Sequence, residues 1–461
     1  MEKKKALLLT SPSVTKNKFW TCSITSPVGS LMPPCDLTSI AGRLRQEAVE
    51  PRILDLRLSR DPFKELDQTI ADWHPDAIIT NIATATAMDD YPMLDLLKNK
   101  VDRRIVFGFH AMALPEELFQ HGVTHILAGD PEYGAARAVT GAAGPTGDSK
   151  GLWTPGSFSP EPGWVEPLDD LPYPALDLLK LDAYHSLIMG RERFSILLAN
   201  RGCHYSCPYC VIPFLFGKRV RTFSVARIIG EMERDLKEFG IRSFFFIDSA
   251  INLKPDWTAS FCEEVLRRKL DIRWCSNMRV PPVTRDLLSL MKRAGCFRLF
   301  YGVEDLDLVD ELGRKTTREA TKEAFALTRE AGIETVAFII LFPDFDHSEK
   351  AMARRIVDMV MELKADALQC NLAIPYPGSR FFDEYMERYQ MSQDWSLYDP
   401  AGGGLPYPAK LDLLRVRRMV YLRYFLRNPA YVFNILRQTD VRSIFSFLKN
   451  STDVLWGRRK K

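Results

Sequence analysis

The strongest constraint on what this chain can fold into is a repeated alternation of short apolar runs with longer amphipathic stretches. A Gly- and Pro-rich segment at 141–175 splits the alternation into two series. In the first series the strand candidates are 6–10, 52–55, 77–81, 105–109 and 126–128, with helical patterns at 37–46, 62–73, 91–98 and 115–121. Apolar runs of this kind suit strands buried on both faces, and the helices between them serve as crossovers. The series therefore predicts an open, doubly wound α/β sheet. Ligands of such sheets lie beyond the carboxyl ends of the strands. Ser11, Thr80-Asn81-Ile82-Ala83-Thr84, Gly108-Phe109-His110 and Gly129-Asp130-Pro131-Glu132 stand at those ends, either as ligand contacts or as ordinary turn residues. No G-x-G-x-x-G follows the first strand, so the usual dinucleotide fingerprint is missing.

The second series places strands at 194–199, 243–247, 272–276, 297–301, 335–341 and 367–373. Helices at 225–239, 257–270, 284–294, 318–331 and 348–363 alternate with them. Six such units predict a partial (β/α)6 barrel, short of the eight-unit closed form, with its chemistry at the C-terminal ends of the strands. A further Gly/Pro hinge lies at 401–408. The domain reading is a doubly wound sheet at 1–140, a linker at 141–190, the partial barrel at 191–400 and a basic helical tail at 401–461.

A chain of 461 residues with 46% hydrophobic and 26% charged residues buries a large core, which excludes wholesale disorder and collagen-like structure. The net charge of +3 conceals an asymmetry. Residues 411–461 carry twelve Lys/Arg against three Asp/Glu, leaving −6 for the rest. An acidic body argues against nucleic acid as a partner. The tail interleaves Arg415, Arg417, Arg418, Arg423, Arg427, Arg437 and Arg442 with Tyr421, Tyr424, Phe425, Tyr431, Phe433, Ile444, Phe445, Phe447 and Trp456. Such a pattern suits either a helical subdomain packed on the barrel or peripheral contact with an anionic membrane that delivers a lipid or tetrapyrrole substrate. No apolar run reaches membrane-spanning length, and the stretch after Lys3–Lys5 is too short for a signal peptide, so a cytoplasmic location is expected.

Nine cysteines, an odd number in a chain expected to stay in the cytoplasm, do not make a disulfide framework. Three of them cluster in Arg201-Gly202-Cys203-His204-Tyr205-Ser206-Cys207-Pro208-Tyr209-Cys210, directly after the first barrel strand. Three thiolates in one loop converge on a soft metal centre. A structural zinc site wants a second pair of ligands, and no further C-x-x-C or H-x-x-H supplies one. An iron–sulfur cluster held by three cysteines leaves one iron open to an outside ligand.

The C-x3-C-x2-C spacing after the first strand of a six-unit β/α series resembles the radical S-adenosylmethionine (SAM) superfamily. The resemblance implies a [4Fe-4S] cluster on Cys203, Cys207 and Cys210, SAM chelated to the open iron, and reductive cleavage to a 5′-deoxyadenosyl radical. It further implies that Tyr209 lies by the adenine, that Asp248-Ser249 meets the SAM amino group, and that Gly302-Val303-Glu304-Asp305 flanks SAM. Pro375-Tyr376-Pro377-Gly378-Ser379 is similar to the segment closing the sixth strand in that family. An electron donor such as flavodoxin or ferredoxin is implied as well.

Leu31-Met32-Pro33-Pro34, Gly108-Phe109-His110, Leu114-Pro115-Glu116-Glu117 and Asp169-Asp170-Leu171-Pro172 resemble signature stretches of the radical SAM subgroup with a cobalamin (B12)-binding domain. That similarity covers roughly residues 5–390. It implies a Rossmann-like, cobalamin-binding-type first domain, with Thr80, Asn81, Thr84, Gly108 and Gly129 as corrinoid contacts. The classical D-x-H-x-x-G is absent after the first strand, so the usual histidine below cobalt is missing; a purely structural Rossmann-like cap is the alternative. His110 is a possible contact or a satisfied core histidine. The implied activity is cobalamin-dependent C-methylation of an unactivated carbon in a small-molecule substrate. A radical cyclase or rearrangement enzyme of the same architecture is the neighbouring reading, and a non-catalytic metal-binding protein is the reading from another class.

Overall fold

The computed structural model describes residues 3–10, 12, 16–18, 23–25, 30–141, 150–157, 161–186, 188–190, 192–343, 347–400 and 404–429. Ser11 and the tail beyond residue 429 lie outside the described residues. The first sheet contains β1 (Lys5–Leu9), β2 (Glu50–Leu54), β3 (Ala77–Asn81), β4 (Arg103–Phe107), β5 (His125–Leu127) and β6 (Leu152–Trp153). Their order is β2-β1-β3-β4-β5-β6, parallel except for β6. The order reverses between β1 and β3, where such sheets form their ligand crevice. Ala6 to Leu9 and the whole of β3 are buried, as expected of strands covered on both faces by helices. The covering helices are α1 (Cys35–Gln46), α2 (Pro62–Trp73), α3 (Ala87–Leu97), α4 (Phe109–Ala113), α5 (Pro115–Gln120) and α6 (Pro131–Thr140).

Phe109, expected at the end of a strand, instead begins α4. Gly108 at φ +106° ends β4 at Phe107, and a Cβ there would stand 2.5 Å from Asn81 Oδ1. The stretch expected to be a linker is packed structure in part. Leu152–Trp153 pairs antiparallel with β5, and Ala175 N donates to Thr38 O of α1 at 2.9 Å.

The second sheet runs in chain order, all parallel: β7 (Phe194–Leu197), β8 (Ser243–Phe246), β9 (Arg273–Met278), β10 (Cys296–Glu304), β11 (Glu334–Leu341) and β12 (Ala367–Leu372). Several of its helices start where side chains cap free amides. Ser224 Oγ accepts from Arg227 N at 3.1 Å to open α8 (Val225–Phe239), and Ser348 Oγ accepts from Ala351 N at 3.2 Å to open α12 (Glu349–Leu363). Between β10 and β11 the register slips from Gly302↔Phe338 to Glu304↔Ile339. Bulges of this kind re-aim a side chain, and Glu304 is left at φ +53°.

The inner face of this sheet packs Phe194, Ile196, Phe245, Cys275, Phe300 and Val336 against Met32 and Met189. These methionines arrive on two segments joined by Leu31 N to His185 O at 2.8 Å and His185 N to Leu31 O at 2.9 Å. The main core is continuous across both sheets. The described part of the basic tail is one helix, Leu413–Arg427, packed on the barrel. Its Tyr424 hydroxyl donates to Ala365 O at 3.2 Å, and its Tyr421 hydroxyl accepts from Cys370 N at 3.0 Å.

Candidate cofactor site at the cysteine loop

The cysteines occupy a loop at 202–220 whose two ends are zipped together, Asn200 opposite Thr222 and Arg201 opposite Arg221 in antiparallel pairing. Gly202 turns the chain into the loop at φ +90°, where a Cβ would fall 2.2 Å from Arg219 O. Cys203, Cys207 and Cys210 are free and half-buried. Burial raises the Cys203 thiol and pushes Cys210 up to about 12. Among the described residues, no three or more His, Cys, Asp or Glu side chains close on a single metal ion.

Two buried arginines stand over the loop. Arg279, just past β9, places Nη1 3.8 Å from Cys207 Sγ and stacks its guanidinium 3.5 Å from the Tyr205 ring centroid. Its Nη2 donates to Arg314 O at 2.5 Å, and Asn252 fixes its backbone by accepting from Arg279 N at 3.0 Å. Arg314 donates to the Tyr209 hydroxyl at 3.3 Å and to Glu304 Oε1 at 3.2 Å. Desolvation opposes the Arg314 charge, but Glu304 and Tyr209 outweigh it and raise its pKa. Burial, then Glu304, raises the Tyr209 phenol. Two buried donors here, Arg279 Nε and Arg314 Nε, have no hydrogen-bond partner, while Glu304 Oε2 is ion-paired with Arg314 Nη2 at 3.2 Å. Orphans of this kind call for a polar ligand. Free thiols, adjacent cations and unsatisfied donors together fit an iron–sulfur cluster carrying a charged organic ligand.

Asp248 is turned onto the backbone of the segment that precedes the cysteines. Its carboxylate accepts Ala199 N at 3.1 Å and Asn200 N at 2.5 Å, anchoring the backbone that leads into the cysteine loop. Burial pushes it up to about 7 despite those two bonds. Ser249, beside it, is half-buried. Asp305 is held by Arg355 Nη1 at 2.7 and 2.8 Å. The segment at 375–379 docks on the loop: Phe381 N donates to Pro208 O at 2.9 Å, and Gly378 lies against the Phe214 ring.

The structure gathers Thr80, Asn81, Thr84 and Gly108 at the carboxyl ends of β3 and β4, the side on which α4 meets α7 (Ile212–Phe216) of the cysteine loop. Thr80 Oγ1 is buried without a hydrogen-bond partner, which fits a ligand in the crevice. Asn81 Nδ2 donates to Asp36 Oδ2 at 2.8 Å. Thr84 Oγ1 lies 3.1 Å from His110 Nδ1, and His110 Nε2 lies 3.0 Å from the Tyr91 hydroxyl, so this histidine is a satisfied core residue. Gly129 stands apart from the group, bridged to Gly163, whose O would lie 2.3 Å from a Cβ at 129.

Sequence reasoning missed Arg201, Arg221, Arg279 and Arg314. Arg201 and Arg221 flank the cysteine loop in the sequence, which was the available signal; Arg279 and Arg314 carried none.

Residues 197–356 match the family described as Radical SAM superfamily. Over 426 residues the chain is 24% identical to an uncharacterized methyltransferase of Pyrococcus horikoshii, spanning 88% of this chain and 91% of that protein. It is also 24% identical to the hopanoid C-3 methylase of Methylococcus capsulatus, over 85% of this chain and 77% of the methylase. Among solved structures, the radical S-adenosylmethionine methyltransferase TsrM of Kitasatospora setae, with cobalamin and a [4Fe-4S] cluster bound, matches with a TM-score of 0.67 at 20% identity. The match covers 84% of this chain and 75% of TsrM, and the likeness is one of fold.

Proposed function

We propose that this chain, whose barrel is a radical SAM domain, is an enzyme that methylates an unactivated carbon of a small molecule with a [4Fe-4S] cluster, SAM and cobalamin. The observation that carries the methylation reading is breadth: similarity to proteins named methyltransferase or methylase extends over both sheets, not the barrel alone.

In this reading Cys203, Cys207 and Cys210 hold the cluster. The unsatisfied donors of Arg279 and Arg314, with the Glu304 carboxylate that Arg314 pairs, bind the charged groups of SAM, and Tyr209 and Ser249 lie beside it. Asp248 serves the site by fixing the entry to the cysteine loop. Thr80, Asn81, Thr84 and Gly108 line the corrinoid crevice, and Gly129 shapes its far edge. When bound, the cofactors supply the radical and the methyl group; the protein aligns them and keeps water out. Arg314 holds Glu304 and Tyr209 in place by hydrogen bonds, and Arg279 places positive charge against the Cys207 sulfur.

A lipid or tetrapyrrole substrate is consistent with the apolar edge that Leu422 and Leu426 leave on the C-terminal helix, 52% and 75% exposed, beside a basic tail. Among the described residues no helix is long and apolar enough to cross a membrane. Peripheral contact from the cytoplasmic side predicts flotation with anionic liposomes that is lost on truncation after Lys410. Electrons come from a carrier of the flavodoxin or ferredoxin type.

Anaerobic purification with cobalamin supplied tests the whole assignment. The expected result is about four irons per chain, a corrinoid spectrum, and reductive SAM cleavage abolished by Cys203→Ala. S-adenosylhomocysteine release with 5′-deoxyadenosine marks methylation, and its absence would move the reading to cyclisation or rearrangement. Stoichiometric zinc without SAM cleavage would overturn it.

A further inference from the structure

The neck of the cysteine loop is gripped from the other sheet. Asp130 and Glu132 follow β5 of the first sheet and are completely buried, and both reach the arginines that zip the loop shut. Glu132 takes a two-pronged bond from Arg201, Nη1 to Oε2 at 2.9 Å and Nη2 to Oε1 at 2.7 Å, while Ser39 of α1 donates to its Oε1 at 2.5 Å. Asp130 pairs with Arg201 Nη1 at 3.0 Å, with Arg221 Nη2 at 3.1 Å and with Arg221 Nη1. It also accepts Val165 N at 2.9 Å, and Arg221 stacks 4.8 Å from the Trp164 ring centroid. Burial works against the Asp130 charge, yet Arg201 and Arg221 hold its carboxyl below the usual carboxylate range.

Two cations and two carboxylates balance here with almost no water to screen them. Removing one member leaves a buried charge without compensation, which costs far more than the pair contributes. Paired forks of this type also fix geometry, because guanidinium and carboxylate planes must align. Arg201 and Arg221 face each other across the neck, so their separation sets the spacing of the two strands from which all three cysteines hang. A carboxylate pair in the first sheet thus sets the shape of a loop in the second.

We propose that Asp130 and Glu132 are positioning residues for the cysteine loop, through which the first sheet makes the loop competent to take up its cluster. The proposal rests on the cluster-bearing reading above. It places control of cluster binding in a domain that supplies no ligand to the cluster.

The test uses the full metal-free chain, handled anaerobically. Hydrogen exchange is followed on peptides covering 202–220, and iron with sulfide is then titrated in and counted per folded chain. Glu132→Gln and Asp130→Asn are expected to speed exchange in 202–220 about tenfold while β8 to β11 stay as protected as in the wild type. Iron uptake should weaken about tenfold, the scale on which residues behind metal ligands act. Arg221→Lys keeps the charge but loses the fork, so it should fall between; it decides the matter if the carboxylate variants do not fold.

Wild-type exchange in 202–220 together with full iron uptake in the folded variants would overturn the proposal, because a merely structural role lowers stability without changing loading of the chains that remain folded. If the wild-type chain itself takes no iron, the cluster reading fails. The exchange data then judge the clamp alone: unchanged exchange in the variants refutes it.

Discussion

Gly202 has no freedom to change. It sits at φ +90° with the Arg219 carbonyl 2.2 Å from where a Cβ would stand, so an added methyl meets backbone rather than a side chain that could move aside. Gly202→Ala is expected to cost about 3 kcal/mol in urea unfolding and to impair iron uptake with it. Cys210 lies at the other extreme of constraint, a thiol that burial pushes up to about 12. At pH 8 it should therefore alkylate about a thousandfold more slowly than an ordinary thiol in the metal-free chain, and the rate should climb with pH well beyond 9. A rate near that of a free thiol, read by mass spectrometry of the peptide, would mean the loop is open. The cysteines were legible in the sequence because their spacing is local. Arg279 and Arg314 were not, since 72 residues separate Arg279 from the Cys207 it touches and 105 separate Arg314 from Tyr209. Nothing in local sequence tells a buried arginine from a surface one. The backbone bonds of Asp248 were not legible either, because whether a carboxylate faces a ligand or its own backbone is decided by the turn after β8.

Elements with a long, regular apolar pattern were legible nearly to the residue, as the buried strand β3 and the amphipathic helix α8 illustrate with bounds identical to those expected. The elements that escaped have weak signals. Leu152–Trp153 is a two-residue edge strand, and α6 spells PEYGAARAVT, whose small residues blur any apolar stripe. Yet the carboxylates that grip the cysteine loop sit at the junction of β5 and α6, Asp130 at the N-cap of α6 and Glu132 in its first turn. A pH test probes this region through His125 at the start of β5, which burial and then Arg103 lower to about 4. A histidine whose folded value lies below its unfolded value near 6.5 adds stability above that pH. The contribution is lost as pH falls from about 6.5 to 4. The shift corresponds to about 2 kcal/mol once partial exposure is discounted. Wild type and His125→Gln should therefore differ in urea midpoint by an amount that changes between pH 7 and pH 4, the wild type losing ground in acid. A constant difference would show that His125 is free to protonate in the fold.

At the scale of the whole molecule, the two alternating series correspond to two sheets, and the buried apolar residues of both belong to one continuous core. What joins them could not be read from either series, because the joining residues, polar and apolar alike, are far apart in the chain. Glu117 of the first sheet accepts from the Tyr91 hydroxyl and, across 278 residues, from Trp395 Nε1, both at 2.7 Å on the same oxygen. Phe109 meets Tyr376 edge-on with ring centroids 5.5 Å apart, on the side where α4 meets α7 of the cysteine loop. Together with the clamp at Asp130 and Glu132, these contacts bracket the proposed cofactors on two sides, which suits chemistry that must hold a methyl donor and a radical source in register. The thermodynamic consequence is that the first sheet should not melt by itself. Glu117→Leu leaves the N–H of the buried Trp395 without its acceptor and should cost about 2 kcal/mol. In a shared core that loss must appear in both sheets. Hydrogen exchange in β1 and β3 should accelerate alongside β10 and β11, and calorimetry should keep a single endotherm at a lower temperature. Acceleration confined to the first sheet, or an endotherm split in two, would show that the sheets fold independently and that their alignment comes from the bound cofactors rather than from the chain.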